Sequence, residues 1–249
     1  MKTWWHAFGV EWLKLKHTSI PWLVLLMPAG TTGLVALTWL IRQPPKVPPS
    51  PALAWLHLGN GVCNLWCLLL PMFVALLSTL LVGLEHGNTQ WKHLLALPMR
   101  RDAHYLGKWC VTMALMVLAY ACLWACVLLA GRLLMVSTSQ GLAGWPAWHA
   151  LGAPMVLSLG ASMLITALQT WLAMRRPGFG LPIAVGALAT IASIILIGSK
   201  WARYFPWTLP REPFLGHAPS GVLALAIGLA GGCVVGLLGL ADFLHRENT

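Results

Sequence analysis

Long apolar stretches alternate with short polar segments along the whole chain. Six stretches are long enough to cross a bilayer, which takes about 20 residues of helix. The predicted spans cover about 19–41, 60–84, 109–135, 150–174, 179–199 and 219–242. They are continuous rather than alternating with a period of two, which favours helices over a β-barrel. The pattern predicts an all-α polytopic membrane protein with six transmembrane helices.

Composition agrees with a chain made mostly of spans. Charged residues make up 9% of it and hydrophobic residues 58%, whereas soluble domains carry about 25% charged residues. Mean hydropathy is +0.74. We expect a single transmembrane domain over residues 1–249, because the short loops leave no room for a sizeable soluble domain.

Lysine and arginine predict the orientation, since cytoplasmic loops carry the excess of cations. With six spans, one side holds ten cations: Lys2, Lys14, Lys16, Lys92, Arg100, Arg101, Lys108, Arg175, Arg176 and Arg246. The other side holds six: Arg42, Lys46, Arg132, Lys200, Arg203 and Arg211. Both termini and the loop 85–108 are therefore expected in the cytoplasm. The net charge of +10 indicates contact with anionic membrane lipid and an acidic partner surface, and not with nucleic acid.

The N-terminal segment is amphipathic. Trp5, Phe8, Trp12 and Leu15 recur at helical spacing, while Glu11 and Lys14 take other faces. This predicts an interfacial helix over 2–17. The alternative is a simple extension of the first span.

Two further segments near the C-terminus each leave two interpretations open. Residues 200–218 mix aromatic and cationic side chains, which favours either a short re-entrant or in-plane helical pair or an ordinary loop at headgroup level. In the last span, Gly228, Gly232 and Gly236 are four apart. Such small-residue ridges allow close helix contact, either with another subunit or inside the bundle.

A polar stripe follows the fourth span and the start of the second. Its members are Asn60, Asn64, Ser158, Ser162, Thr166, Gln169 and Thr170. These side chains are candidates to line a path for an amphipathic solute. The alternative is structural: hydroxyls bond back to carbonyls four residues earlier, and amides join helices.

The chain lacks the motifs of several enzymes. It has no GxxxxGK[ST] phosphate loop, no HExxH and no GxSxG, so it is not expected to hydrolyse nucleotides or to be an enzyme. Its six acidic residues lie near predicted span ends, which argues against ion-coupled transport. His57, His149 and His217 share a similar depth, but no cysteine or carboxylate accompanies them. We expect no metal site.

The loop 85–108, EHGNTQWKHLLALPMRRDAHYLGK, is the most distinctive segment. A short helix over about 87–97 is predicted, with Trp91, Leu94 and Leu95 on one side and Pro98 at its end. The loop resembles the coupling element of type-2 ABC transporter permeases. The matching positions are Glu85, Trp91, Lys92, Leu97, Pro98, Arg101, Tyr105 and Lys108. The order of spans is similar too, most of all to permeases of lantibiotic and bacteriocin self-protection transporters.

The resemblance implies a complex in which separate subunits bind ATP and cross the membrane. ATP and Mg²⁺ would be bound by a separate ABC ATP-binding subunit, and a second copy or a paralogous permease would complete the complex in the bacterial inner membrane. Glu85, Trp91, Lys92, Leu94, Leu95, Pro98, Arg100 and Arg101 would couple the permease to the ATPase. The implied activity is ATP-driven export of an amphipathic solute such as an antimicrobial peptide. The competing classes are a membrane scaffold that docks a soluble partner through the loop, and an intramembrane enzyme.

Overall fold

A computed structural model of the chain describes residues 9, 11–42, 50–86, 101–137, 148–175, 178–216 and 218–246. Within these ranges the structure is helical and contains no strand. The α-helices whose two ends lie within the described ranges are α1 Ile20–Arg42, α2 Pro51–His86, α3 Arg101–Ser137, α4 Trp148–Ala161, α5 Met163–Arg175, α6 Gly180–Leu196 and α7 Ala218–Arg246. Three short 3-10 helices accompany them: Leu15–His17, Ala202–Tyr204 and Leu209–Leu215.

Among the described residues, five helical segments are long and apolar enough to cross a membrane: Ile20–Ile41, Pro51–Leu84, Asp102–Val136, Trp148–Arg175 and Ser220–His245. They make the chain a polytopic α-helical membrane protein. α6 is also apolar but has only 17 residues, at the lower limit for a spanning helix. The crossing predicted for 179–199 therefore stays a prediction.

The predicted fourth span consists of two helices, with one non-helical residue at Ser162. Backbone hydrogen bonds continue across the interruption, because Ser162 N donates to Ser158 O at 2.9 Å and Thr166 N donates to Ser162 O at 3.0 Å. α4 and α5 thus act together as one membrane-length element.

α2 lies at the centre of the bundle and contacts α1, α3, α5 and α6. Its side chains Trp55, Trp66 and Phe73 are fully buried. The outer helices expose large apolar side chains, among them Ile195 on α6 and Leu237 on α7. This is the expected distribution when lipid, and not water, surrounds the bundle.

The segment between α6 and α7 contains the predicted helical pair, here as the two 3-10 helices Ala202–Tyr204 and Leu209–Leu215. The second packs against α2, α4 and α7, and it buries Leu209 and Pro210. It therefore packs against these helices, and a re-entrant or in-plane position of the pair in the membrane stays a prediction.

The glycine ridge of α7 packs inside the chain. A Cβ added to Gly228 would clash with the backbone of Ala161, one added to Gly232 would lie 2.8 Å from Met163 Cγ, and one added to Gly236 would lie 2.9 Å from the Trp109 ring. The structure thus places Gly228, Gly232 and Gly236 against α3, α4 and α5 of the same chain. The alternative of a subunit interface on this face does not fit that burial.

Candidate functional site

Polar side chains from four elements meet where α2 and α4 contact the 3-10 helix Leu209–Leu215 and α3 packs against α2 and α4. We call this group the polar seam; it consists of Asn64, Cys67, Tyr120, Ser158 and Arg211. The Tyr120 hydroxyl and Ser158 Oγ are 2.9 Å apart, and Ser158 Oγ lies 3.8 Å from Cys67 Sγ. Cys67 and Ser158 are buried, and Tyr120 is 5% exposed. Cys67, Tyr120 and Ser158 therefore join the three spans through neutral, buried groups.

The 3-10 helix is tied to α2 by two further bonds. Cys67 Sγ donates to the carbonyl of Pro210 at 3.3 Å. Arg211 Nε donates to Asn64 Oδ1 at 2.8 Å, and Asn64 Nδ2 donates to the carbonyl of Asn60 at 2.8 Å. Asn60, Asn64 and Cys67 share one face of α2 because they are three or four residues apart. The α2 residues of the seam, Asn64 and Cys67, therefore face the 3-10 helix together.

Of the predicted stripe, only some members reach other helices. Ser162 Oγ donates to Leu159 O at 2.7 Å, and Thr166 Oγ1 donates to Ser162 O at 2.8 Å. These two hydroxyls are satisfied by their own helical segment, as the structural alternative expects. Ser158 and Asn64, by contrast, bond to other elements. A solute path along the stripe remains a prediction.

Gln169 and Thr170 are buried, and their side-chain polar atoms are not hydrogen-bonded to any described residue. Within the ranges that the structure describes, both atoms of the Gln169 amide and the Thr170 hydroxyl lack a hydrogen-bond partner. A buried amide without partners is unfavourable by a few kcal/mol.

Cys67, Tyr120 and Arg211 were not predicted from the sequence as members of a polar site. Cys67 carried a signal, since it lies one helical turn after Asn64 on the same face. Tyr120 also carried one, as a polar tip within a long apolar run. Arg211 had none, because its contact with Asn64 joins residues 147 positions apart.

A second group, the charged cluster, joins the N-terminal segment to the start of α3. Lys108 Nζ donates to Glu11 Oε2 at 3.3 Å, and Lys14 Nζ donates to Glu11 Oε1 at 2.8 Å. His104 Nδ1 lies 3.9 Å from Glu11 Oε1. Glu11 and Lys108 are 3% and 1% exposed. Buried charges persist only when they are paired, so this cluster fixes the N-terminal segment to α3.

The charged cluster corrects the predicted faces of the N-terminal helix. Glu11 was expected on a face away from Leu15, yet both are buried, while Trp12 and Leu13 are 40% and 61% exposed. The reason is that Lys108 supplies a buried counter-charge that sequence spacing could not reveal. An interfacial position for 2–17 stays a prediction, with residues 1–8 and 10 outside the described residues.

The same end of the bundle carries a link between α5 and α7. Trp171 Nε1 donates to Asp242 Oδ2 at 3.0 Å, and Arg175 Nε lies 3.8 Å from that oxygen. The Tyr105 and Phe243 rings, 5.9 Å apart, connect this link to α3. Polar contacts between α5 and α7 and a ring contact between α3 and α7 thus tie these three helices together near the start of α3.

Most predicted coupling residues lie outside the described residues: Trp91, Lys92, Leu94, Leu95, Pro98 and Arg100. Glu85 and Arg101 belong to the ends of α2 and α3. In the described part of the chain, no group of three His, Cys, Asp or Glu residues could hold a metal ion.

Among the described residues, five helical segments of membrane length define a polytopic α-helical membrane protein. The chain matches the family described as "ABC-2 family transporter protein" over residues 7–193, well over half of its length. It therefore belongs to the ABC-2 transporter family. It is the membrane permease of an ABC transporter, not itself an enzyme, and such a permease works with an ABC ATP-binding subunit. A search among curated proteins gave no significant match.

Proposed function

We propose that this chain is the permease of an ATP-driven exporter that moves an amphipathic or hydrophobic solute, with an antimicrobial peptide such as a lantibiotic as the expected cargo. The biological role would be self-protection or resistance. ATP and Mg²⁺ would be bound by the separate ATP-binding subunit. A second copy or a paralogous permease would complete the complex in the bacterial inner membrane.

The observation that carries this proposal is the neutral character of the polar seam. Hydroxyl, thiol and amide groups make its buried contacts, and its one cation, Arg211, comes from the 3-10 helix and not from a span. Ion-coupled transporters rely on ionisable groups inside the membrane. A seam of neutral polar groups between apolar helices suits a cargo that is itself part polar and part apolar.

The helices on both sides of the loop 85–108 carry seam residues. Cys67 lies 19 residues before His86, where α2 ends, and Tyr120 lies 19 residues after Arg101, where α3 begins. At 1.5 Å per residue both distances are about 29 Å, close to the thickness of the hydrocarbon core. A cytoplasmic loop would therefore place the seam at the level of the outer leaflet.

This arrangement supplies a mechanical route for ATP-driven movement. Closure of the ATP-binding subunits would push on the loop 85–108, and α2 and α3 would carry the displacement to the seam. The Ser158–Tyr120 and Cys67–Pro210 hydrogen bonds would break in this movement, because each of them joins two elements that shift relative to one another. Gln169 and Thr170 would then find partners in the solute or in rearranged helices.

The test compares Ser158→Ala with Thr166→Val in the complete permease–ATPase complex in lipid vesicles. Ser158→Ala removes a contact between helices and leaves the buried Tyr120 hydroxyl without its partner. Thr166→Val removes only a bond within one helical segment and serves as the control. Stimulation of ATP hydrolysis by a lantibiotic and by an unrelated amphipathic peptide is measured for each.

We expect Ser158→Ala to change the ratio of the two stimulations several-fold, with Thr166→Val close to the parent. Equal stimulation profiles in all three proteins would contradict a role for the seam in solute selection. A complex that assembles but whose ATP hydrolysis responds to no peptide would favour the scaffold over the exporter.

A further inference from the structure

A pocket of about 410 Å³ opens beside the polar seam, between the end of α6 and the 3-10 helix Leu209–Leu215. Three cations, Lys200, Arg203 and Arg211, line it together with one carboxylate, Glu212. Ile197 and Leu215, each 42% exposed, add an apolar side. The pocket lies beyond residue 193, where the family match ends, so its chemistry is not described by family membership.

Hydrogen bonds fix the walls of this pocket. The Thr208 hydroxyl donates to the carbonyls of Ala202 and Phe205 and thereby joins the two 3-10 helices. Gly198 has a φ of +81°, a left-handed conformation that ends α6 and that glycine adopts at little cost. The Arg211–Asn64 bond holds the guanidinium through Nε and leaves the two terminal nitrogens to other acceptors.

The electrostatics of the lining favour an anion. Its three cations exceed its single carboxylate by two charges, and Glu212 is buried and already engaged in its own interactions. Among the described residues, neither Lys200 nor Arg203 has a carboxylate within 4 Å, and both are exposed. Guanidinium and ammonium groups together are the usual partners of phosphate oxygens.

The surroundings favour an anion attached to an apolar body. Trp201 and Tyr204, in or beside the first of these 3-10 helices, are 65% and 63% exposed. Exposed aromatic rings next to cations are typical of the headgroup level of a membrane. A ligand that places a phosphate on the cations and its hydrocarbon along Ile197 and Leu215 would satisfy both sides of the pocket.

We propose that this pocket binds the phosphate group of an amphiphile from the adjacent leaflet. This inference rests on the proposed function in one respect: the exporter topology would place the pocket at the outer leaflet. It adds a ligand site, separate from the seam, through which an anionic amphiphile could act on the 3-10 helix that contacts α2, α4 and α7. Free phosphate carries the same headgroup chemistry and is the alternative source that the experiment distinguishes.

The experiment measures binding to the purified permease–ATPase complex in detergent by isothermal titration calorimetry. The probes are dihexanoylphosphatidylglycerol, dihexanoylphosphatidylcholine and inorganic phosphate. The test variant is Lys200→Gln with Arg203→Gln. The control is Arg132→Gln, which removes a cation from the C-terminal part of α3, outside the pocket lining. A second test variant, Arg211→Lys, keeps the charge but loses the guanidinium fork and its bond to Asn64.

The parent complex is expected to bind the phosphatidylglycerol at least tenfold more tightly than the phosphatidylcholine. The double variant should lose this preference, Arg211→Lys should reduce it, and Arg132→Gln should retain it. Inorganic phosphate should bind more weakly than the phosphatidylglycerol, because it has no apolar body for Ile197 and Leu215. Equal binding of inorganic phosphate, or a preference that survives the double substitution, would overturn the proposal. Peptide-stimulated ATP hydrolysis tests the transport function separately, so either idea can fail without the other.

Discussion

Glu11 and Lys108 form an ion pair that is shielded from both solvent and lipid, with Lys14 and His104 on the same carboxylate. Replacing Glu11→Gln would remove the Glu11 carboxylate from the buried Lys108 ammonium. Breaking a buried pair in this way costs about 3–5 kcal/mol. We therefore expect Glu11→Gln to lower the melting temperature of the purified complex strongly.

The double variant Glu11→Gln with Lys108→Met provides the control. Methionine fills the same volume without a charge, and buried ion pairs are often replaced by apolar residues at little cost. The double variant should therefore melt at a higher temperature than Glu11→Gln alone. If it melts at a lower temperature than the single variant, the charge pairing is not what holds the N-terminal segment to α3.

Single residues show where sequence alone stops being informative. The bonds of Ser162 and Thr166 to carbonyls of their own helical segment are local, and the spacing of the hydroxyls indicated them as one of two alternatives. The contacts of Ser158 with Tyr120 and of Asn64 with Arg211 join distant parts of the chain. They depend on how the helices pack, which hydrophobic periodicity does not specify.

Individual helices were predicted better than their boundaries. Each predicted span overlaps a described helix, because uninterrupted apolar runs in lipid leave little choice but a helix. The starts of α2 and α3 lie several residues earlier than predicted, at Pro51 and Arg101. α2 begins early because proline is favoured in the first turn of a helix. α3 begins early because it can include polar residues such as Lys108, whose charge is paired with Glu11.

Close approach of α7 to the fourth span depends on glycine. Gly228→Ala would push a methyl group into the backbone of Ala161, which no rotamer change can relieve. Overpacking of this kind costs about 1–3 kcal/mol, so the variant should unfold at a lower temperature in detergent. Gly33→Ala on α1 is the matched control, since nothing lies within 4 Å of the added methyl group. Equal melting temperatures of the two variants would show that α7 does not pack as described.

The whole molecule is expected to have both termini and the loop 85–108 in the cytoplasm, from its distribution of cations. In a cysteine-free background, a membrane-impermeant thiol reagent added outside should label Ser50→Cys and Leu215→Cys but not Thr89→Cys. Leu215 is suited to this test because its side chain is 42% exposed. Permeabilised cells provide the control, in which Thr89→Cys should become labelled. Labelling of Thr89→Cys from outside in intact cells would invert the topology and place the seam in the inner leaflet.

Family membership and the helical class both followed from sequence, because the apolar runs and the loop 85–108 are continuous segments. The buried position of Glu11, the Arg211–Asn64 contact and the cationic pocket did not follow. Each of them joins residues that are far apart in the chain, and each depends on the order in which helices surround α2.

The measurement that tests the permease account most directly compares Trp91→Ala with Arg100→Ala in the reconstituted complex, recording ATP hydrolysis and peptide transport together. Large apolar anchors usually dominate docking between proteins, whereas charges at the rim mainly set orientation and rate. We expect Trp91→Ala to release the ATP-binding subunit or to leave hydrolysis without transport. Arg100→Ala should have the smaller effect, which high salt would reduce further. Unchanged complex formation together with unchanged transport in Trp91→Ala would contradict the account, because the loop would then not connect ATP hydrolysis to the spans.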